Sequence, residues 1–255
     1  MVITIAVHSC KGGTGKTSIA LNLAGAYAAS GKNVCLIDLD SKAPSLSSIF
    51  NTRSNKWVND FLFGKCNITD VIHDVSDGIG VSGKLYVGLS DPNIIAIRDI
   101  SSKDRKWQAK ALQVIMDAKK DLINAGMDVI IFDTGPGVDF SSINAVATAD
   151  YVLVIIKPNK MCIIGTGQII NGVYKLLGKN CGVVENMCHE THFLNPISNT
   201  QFGVPVLASI PCMCDVQLKT DADILALNEP NHPFSESIFK IMGQISEQSD
   251  RSSIL

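Results

Sequence analysis

The residues CKGGTGKT, at 10–17, lie between two apolar runs of different periodicity. The preceding run, VITIAVHS at 2–9, is nearly all apolar and β-branched, which is typical of a strand buried on both faces of a parallel sheet. The following run, KTSIALNLAGAYAASG, has apolar residues at helical spacing and stops at Gly31, a suitable C-cap. A glycine-rich loop between a buried strand and a helix presents backbone N–H groups to an anion. The sequence therefore predicts a phosphate-binding loop.

The alternation of strands and helices continues along the chain. Further strands are expected at 33–40, 84–90, 128–133, 150–157, 182–187 and 204–210, with helices near 56–64, 103–125, 141–149, 163–177, 217–227 and 234–247. This order predicts an α/β fold, with a single doubly wound, mostly parallel β-sheet flanked by helices. The sequence contains no linker, repeat or low-complexity tract, so we expect one domain over 1–255, with a core to about 245 and a tail at 246–255.

Composition narrows the classes of function. Net charge is −2 and the four arginines form no basic stripe, so specific nucleic-acid binding is not expected. The sequence has neither a long apolar run nor a signal peptide, which predicts a cytoplasmic protein with eight reduced cysteines. The C-terminal helix, with an apolar face at Phe239, Met242 and Ile245, has few bases, so we expect it to pack on the domain rather than bind a membrane.

The loop residues have separate expected roles. The amides of Gly12, Gly13, Thr14 and Gly15 form a nest for phosphate. Lys16 is expected to reach the β- and γ-phosphate oxygens, and the hydroxyl of the next residue, Thr17, to bind Mg²⁺. The alternative is a glycine-rich turn that binds nothing, which the strand, loop and helix in order disfavour.

The position that usually holds the first glycine of such a loop holds Cys10. A small side chain fits there if its φ is negative. We expect a packed, inert thiol, and the alternative is a thiol activated by the helix N-terminus.

Carboxylates follow two of the predicted strands. Asp38 and Asp40 end the strand NVCLIDLD, and residues two apart on a strand point the same way. Asp133 ends the strand DVIIFD and precedes the glycines at 135–137, whose amides can sense a γ-phosphate. We expect Asp133 to hold Mg²⁺ through water. The alternative for Asp38 and Asp40 is a solvated strand end.

The loop KGGTGKT resembles the deviant Walker A loop, K-G-G-x-G-K-[ST], of the MinD/ParA/Mrp class of ATPases. DLDSKAPSL resembles the switch I of that class, and DTGPG its switch II; the likeness covers roughly residues 1–245. The class does not require glycine at the position of Cys10. The resemblance implies an ATPase that uses ATP and Mg²⁺, forms a homodimer with ATP, turns over slowly alone and acts on a protein activator or cargo.

The resemblance also implies roles for individual residues. Lys11 reaches the phosphates of the partner in the dimer, Asp38 orients or activates the attacking water, and Asp40 bridges toward Mg²⁺. The segment GVVENM resembles the one whose asparagine contacts adenine, which points to Asn186, and the lack of an N-K-x-D motif favours ATP over GTP. The expected catalytic residues are Lys11, Lys16, Asp38 and Asp40; the cofactor-binding residues are Lys11, Gly12, Gly13, Thr14, Gly15, Lys16, Thr17, Ser18 and Asn186; the metal ligands are Thr17, Asp40 and Asp133.

Cysteines and histidines follow two late strands, at Cys188, His189, His192, Cys212 and Cys214. Such residues can bind zinc or an iron–sulfur cluster. Mrp-type carriers hold a cluster through C-x-x-C, whereas this sequence has C-H-x-x-H and C-x-C, which disfavours cluster carriage. A metal or iron–sulfur carrier with the same ATPase site, and a nucleotide-binding protein that does not hydrolyse, remain the alternatives.

Overall fold

The computed structural model describes residues 2–50, 56–189, 199–220 and 223–252. Its strands form an eight-stranded sheet in the order β3-β4-β2-β5-β1-β6-β7-β8. Neighbouring strands are parallel except β3 and β4. The fold class predicted from the sequence is thus confirmed. The strands are β1 Ile3–His8, β2 Asn33–Leu39, β3 Ile72–Asp74, β4 Lys84–Gly88, β5 Val129–Thr134, β6 Tyr151–Ile156, β7 Asn180–Cys188 and β8 Val206–Pro211.

Helices cover both faces of this sheet. Alternate residues of β1 enter different core clusters, with Ile5 and Val7 packed beside α1 and Ala6 facing the opposite side. This period of two is what a strand buried on both faces requires. The helices are α1 Lys16–Ala29, α2 Val58–Leu62, α3 Ser76–Ile79, α4 Ile94–Ser101, α5 Arg105–Asn124, α6 Phe140–Thr148, α7 Lys160–Ile169, α8 Asn199–Phe202, α9 Cys214–Thr220, α10 Leu225–Asn228 and α11 Pro233–Ser252.

The strand order brings three carboxyl ends together. β1 lies between β5 and β6, and β5 also pairs with β2. The registers place Val7 opposite Asp133 and Asp133 opposite Asp38. The loop after β1 and the carboxylates of β2 and β5 therefore meet at one edge of the sheet, where ligands bind in open α/β folds.

Several elements differ from the sequence predictions. The short antiparallel strand β3 and the helix α4 were not expected, because three residues give no clear period and α4 lies in a segment with few helix signals. The helix predicted at 163–177 starts at Lys160, since Asn159 caps it by accepting from the Cys162 amide. α7 ends at Ile169, and a π-helical turn follows it at Ile170–Tyr174.

The C-terminal helix packs on the sheet, as predicted, but with a shifted face. Ile238, Ile241 and Ile245 are buried, whereas Phe239 and Met242 are only partly buried. α11 also continues to Ser252, beyond the predicted boundary at 246, since the polar residues there contain neither glycine nor proline to end a helix. In the described part of the chain, no helix is both long and apolar enough to cross a membrane.

Candidate nucleotide-binding site

The glycine-rich loop has the backbone of an anion site. Gly13 and Gly15 have φ of 69° and 86°, in the left-handed region that favours glycine. Gly15 is the N-cap of α1. Among the described residues, no side chain caps this end of the helix, and its first turn contains no acidic residue. The amides at this helix N-terminus therefore face the loop without a protein anion, which suits a bound phosphate.

The two lysines of the loop lie in different environments. Lys16 is buried, with 7% of its surface exposed, and burial lowers the pKa of its ammonium group while Asp133 and Asp40 act to raise it. Lys11 is exposed, and its carbonyl accepts a 2.6 Å hydrogen bond from the Ser9 hydroxyl. One lysine thus points into the site, and the other lies at the protein surface beside it.

Two carboxylates face each other beneath the loop. Asp38 and Asp133 are register partners, and both are fully buried. Burial is the largest cause of the raised pKa of each, and their mutual repulsion adds to the rise for Asp38. Asp38 Oδ2 and both oxygens of Asp133 lack a well-formed hydrogen bond from the described residues, although the nearby Thr17 hydroxyl helps to lower the pKa of Asp133. Buried carboxylate oxygens without donors fit a divalent cation.

Switch I approaches the start of α1 from the other side. The Ser45 hydroxyl lies 3.4 Å from that of Thr17. Asp40 is half-buried, and its Oδ1 accepts from the Ala43 amide at 3.1 Å. A Cβ added to Gly135 would lie 3.1 Å from the same carboxylate oxygen, so switch II passes close to Asp40. The structure thus brings Thr17, Asp40 and Asp133 to one place, as the sequence predicts for metal ligands.

Asn186 reaches the loop from β7. Its Nδ2 donates a 2.8 Å hydrogen bond to the Thr14 carbonyl, and a Cβ on Gly15 would collide with the same amide. The next residue, Met187, is the only non-glycine residue with positive φ (56°) in the described ranges. This positive φ lies within β7, at an irregularity in its pairing with β8, and the sequence gives no signal of the irregularity.

Cys10 is packed rather than activated. Its Sγ lies against the backbone of α7 at Gly165, where a Cβ would collide with the sulfur. Burial raises the pKa of the Cys10 thiol, outweighing the attraction of Lys11. The structure therefore favours the inert thiol predicted from the sequence.

The cysteine and histidine cluster is only partly brought together. Cys188 is buried and its carbonyl accepts a 2.9 Å hydrogen bond from the Cys212 amide, while Cys212 and Cys214 are exposed. His192 lies outside the described residues. Among those that are described, no group of three His, Cys, Asp or Glu side chains is placed to hold a metal ion.

A buried histidine was missed by the sequence analysis because it looks like any other residue of an apolar strand. His8 is fully buried at the end of β1. Its Nδ1 lies 2.5 Å from the Tyr174 hydroxyl and its Nε2 lies 2.7 Å from the carbonyl oxygen of Gly137. Burial, helped by the charge of Lys16, lowers the pKa of His8 from its usual 6.5 to about 4.

Acidification is expected to destabilise the nucleotide-free protein partly through His8. The unfolded chain binds a proton near pH 6.5 and the folded chain only near pH 4, so stability present above pH 6.5 is lost as the pH falls toward 4. The loss is on the order of 3 kcal/mol. Urea unfolding at pH 7 and 4.5 measures it, and His8→Gln, which does not titrate, should lose less over that interval. Equal losses in the two proteins would contradict the prediction.

The uncapped glycine loop, the buried lysine and the facing carboxylates at the carboxyl edge of a parallel sheet define a P-loop nucleotide-binding protein. A family model described as an AAA domain matches residues 2–182, so the chain belongs to that family. Within it, the chain is a MinD/ParA-like ATPase, as its phosphate loop predicts.

Two relatives and one solved structure illustrate what the chain is similar to. An uncharacterized ATP-binding protein of Methanocaldococcus jannaschii is 29% identical over 252 residues, covering 96% of this chain and 88% of the relative. An iron-sulfur cluster carrier protein of Deinococcus radiodurans is 24% identical over 247 residues, covering 91% of this chain and 64% of the relative. The solved structure of the septum site-determining protein MinD from Pyrococcus horikoshii with Mg-ADP shares the fold, with a TM-score of 0.77, 20% identity and 98% of each chain covered.

Proposed function

We propose that this protein binds ATP with Mg²⁺ and hydrolyses it to ADP and phosphate, as a switch that pairs two copies of the chain. The observation that carries the proposal is the buried Lys16 ammonium group, which lies near an uncapped helix N-terminus and interacts with two carboxylates, those of Asp133 and Asp40. The β- and γ-phosphates would supply the negative charge that this arrangement lacks above the loop. The amides of residues 12–15, with Thr17 and Ser18 at the start of α1, complete the cradle.

The carboxylates suit a magnesium ion. Thr17 would bind it through its hydroxyl, and Asp133 and Asp40 through intervening water, since all three lie under the loop and Asp133 has oxygens without donors. When bound, the ion neutralises charge on the phosphate oxygens. The Pyrococcus horikoshii MinD structure, which was solved with Mg-ADP, supports this choice of cofactor for the fold.

Asp38 is the proposed partner of the attacking water. Its Oδ1 accepts a 3.0 Å hydrogen bond from the Asp40 amide, which holds the side chain, while Oδ2 lacks a well-formed hydrogen bond from the described residues, although the Leu46 amide helps to lower the pKa of Asp38. Burial and the nearby Asp133 raise the pKa of Asp38, and a carboxylate with a raised pKa is the stronger proton acceptor. Water oriented by Oδ2 would attack the γ-phosphorus, and ADP would leave.

Lys11 is proposed to act in the partner's site. It is exposed at the edge of its own loop, where a second copy of the chain could receive it. ATP can favour pairing only through a higher affinity for the paired state. Hydrolysis would weaken the paired state, and slow turnover in the absence of an activator or cargo would keep the pair assembled.

Asn186, beside the loop, is the proposed contact for adenine. We place this activity in the cytoplasm, which suits a chain whose eight cysteines are all free thiols.

Asp133→Asn is expected to stabilise the nucleotide-free protein while removing the effect of Mg²⁺ on ATP affinity. The change replaces one of two facing buried carboxylates with a neutral amide that can donate to Asp38, so the free energy of unfolding should rise by about 1–2 kcal/mol. Urea unfolding measures the first effect, and titration calorimetry with Mg²⁺ or EDTA the second. Asp121→Asn, the same change at an exposed position of α5, should alter neither.

The proposal as a whole is tested by phosphate release from ATP, and by light scattering of the Asp38→Ala protein with and without Mg-ATP. Hydrolysis by the native chain and an ATP-dependent doubling of mass for the variant are expected. A native protein that binds ATP and releases no phosphate, alone or with cell extract, would instead be a non-hydrolysing partner. Stoichiometric iron or zinc in anaerobically purified protein, lost on Cys212→Ser with Cys214→Ser, would instead favour the metal or iron–sulfur carrier.

A further inference from the structure

The two ring nitrogens of His8 have fixed roles, one as a hydrogen-bond donor and the other as an acceptor. A carbonyl oxygen can only accept, so the 2.7 Å contact with Gly137 requires a proton on His8 Nε2. In the neutral imidazole Nδ1 is then an acceptor, and the Tyr174 hydroxyl must donate to it across 2.5 Å. The Gly137 carbonyl thus selects the histidine tautomer, and the Tyr174 hydroxyl donates to the ring nitrogen that carries no proton.

Gly137 is held at both of its polar backbone atoms. Its N–H donates a 2.8 Å hydrogen bond to the Ser9 carbonyl, and its own carbonyl accepts from His8. Its φ of 83° is one that other residues rarely adopt. Both contacts come from the two residues that precede the phosphate loop, so this part of switch II is docked on the end of β1.

Tyr174 reaches His8 because of the π-turn after α7. The Lys175 amide donates to the carbonyl of Ile170 at 3.0 Å, which widens the helix at this point. The Tyr174 side chain is fully buried, and burial holds the pKa of its hydroxyl well above the usual value. A buried hydroxyl without an acceptor is costly, so the pair with His8 is favoured on both sides.

We propose that His8 is a positioning residue for switch II, with Tyr174 fixing its orientation, and that this pair opposes the movement of Gly137 toward a γ-phosphate. The Gly137 amide is committed to Ser9 and must leave it in order to contact the γ-phosphate. Releasing the pair should therefore favour ATP without affecting ADP, which has no γ-phosphate. The expected preference for ATP over ADP rests on the proposed function, whereas the docking of Gly137 on β1 does not.

The first test uses nucleotide-free protein. Tyr174→Phe removes only the hydroxyl, and His8→Asn keeps an amide near Nδ1 but is too short to reach Gly137. Both should speed hydrogen exchange of the Gly137 amide by about three- to tenfold, the equivalent of one neutral hydrogen bond. His8→Gln, which carries an amide donor at the reach of Nε2, should restore exchange toward the native rate. Unchanged exchange at Gly137, or equal acceleration throughout β5 and α1, would overturn the positioning role.

The second test compares nucleotides. Calorimetry with a non-hydrolysable ATP analogue should show about three- to tenfold tighter binding to Tyr174→Phe and His8→Asn, with ADP affinity unchanged. Equal effects on both nucleotides, or none, would overturn the link to the γ-phosphate even if Gly137 exchanges faster. If the native protein binds no nucleotide, the proposed function fails, and hydrogen exchange alone decides the role of His8.

Discussion

Replacing Lys16 with alanine is expected to abolish nucleotide binding without unfolding the protein. The ammonium group is buried between the loop and the carboxylates, where each contact to phosphate is a charge-assisted hydrogen bond with little competition from water. Loss of such a buried charged partner should weaken Mg-ATP binding by on the order of 10²-fold or more. Titration calorimetry measures this directly.

The stability of the same variant separates binding from folding. Lys16→Ala removes the desolvation cost that the lowered pKa of Lys16 reflects but also removes its attraction to Asp133 and Asp40, so the two effects should largely cancel and the midpoint of urea unfolding of the nucleotide-free protein should change little. Lys11→Ala, at the exposed lysine of the same loop, is the matched control and should keep its affinity. Native-like Mg-ATP affinity in Lys16→Ala would refute the proposed site.

Lys11→Ala is expected to bind ATP normally and to lose turnover by about 10³-fold, the range for a cationic finger supplied in trans. The side chain is exposed and makes no ion pair among the described residues, so the change should leave stability unaltered. Steady-state phosphate release measures the loss. Lys11→Arg, which keeps the charge, should retain part of the activity.

Mixing two inactive variants tests whether Lys11 acts across a pair. Asp38→Ala keeps Lys11 but cannot orient the water, whereas Lys11→Ala keeps Asp38. A mixed pair has one complete site, formed by Asp38 of one copy and Lys11 of the other. An equal mixture should recover about a quarter of native activity, because half of the pairs are mixed and each has one working site of two. No recovery in a mixture that exchanges subunits would place Lys11 in its own site.

The sequence predicted those parts of the site that follow from local sequence pattern and from the rule that ligands bind at the carboxyl ends of parallel strands. The loop at 10–17 is contiguous, and Asp38 and Asp133 each end an apolar strand, so their meeting follows from the parallel sheet. Apart from β3, the strands of the described structure were predicted within a few residues, since their apolar runs have sharp ends.

The parts that were missed depend on long-range packing. His8 and Tyr174 are separated by 166 positions, and their contact requires both the register of β1 and a π-turn after α7, neither of which has a sequence signal. β3 is three residues long and gains its structure from pairing with β4. The positive φ of Met187 likewise accompanies the irregular pairing of β7 with β8 and has no signal in the residue itself.

The facing pair Asp38 and Asp133 has a consequence for the life of the protein in a cell. An empty site confines two buried carboxylates that repel each other, and the Lys16 ammonium group offsets only part of this cost, so the nucleotide-free chain should be less stable than the nucleotide-bound one. A ligand present at 100 times its dissociation constant adds about 2.7 kcal/mol to the free energy of unfolding. Starvation for nucleotide would therefore expose the chain to proteases more often, and its abundance would follow the energy supply without any dedicated sensor.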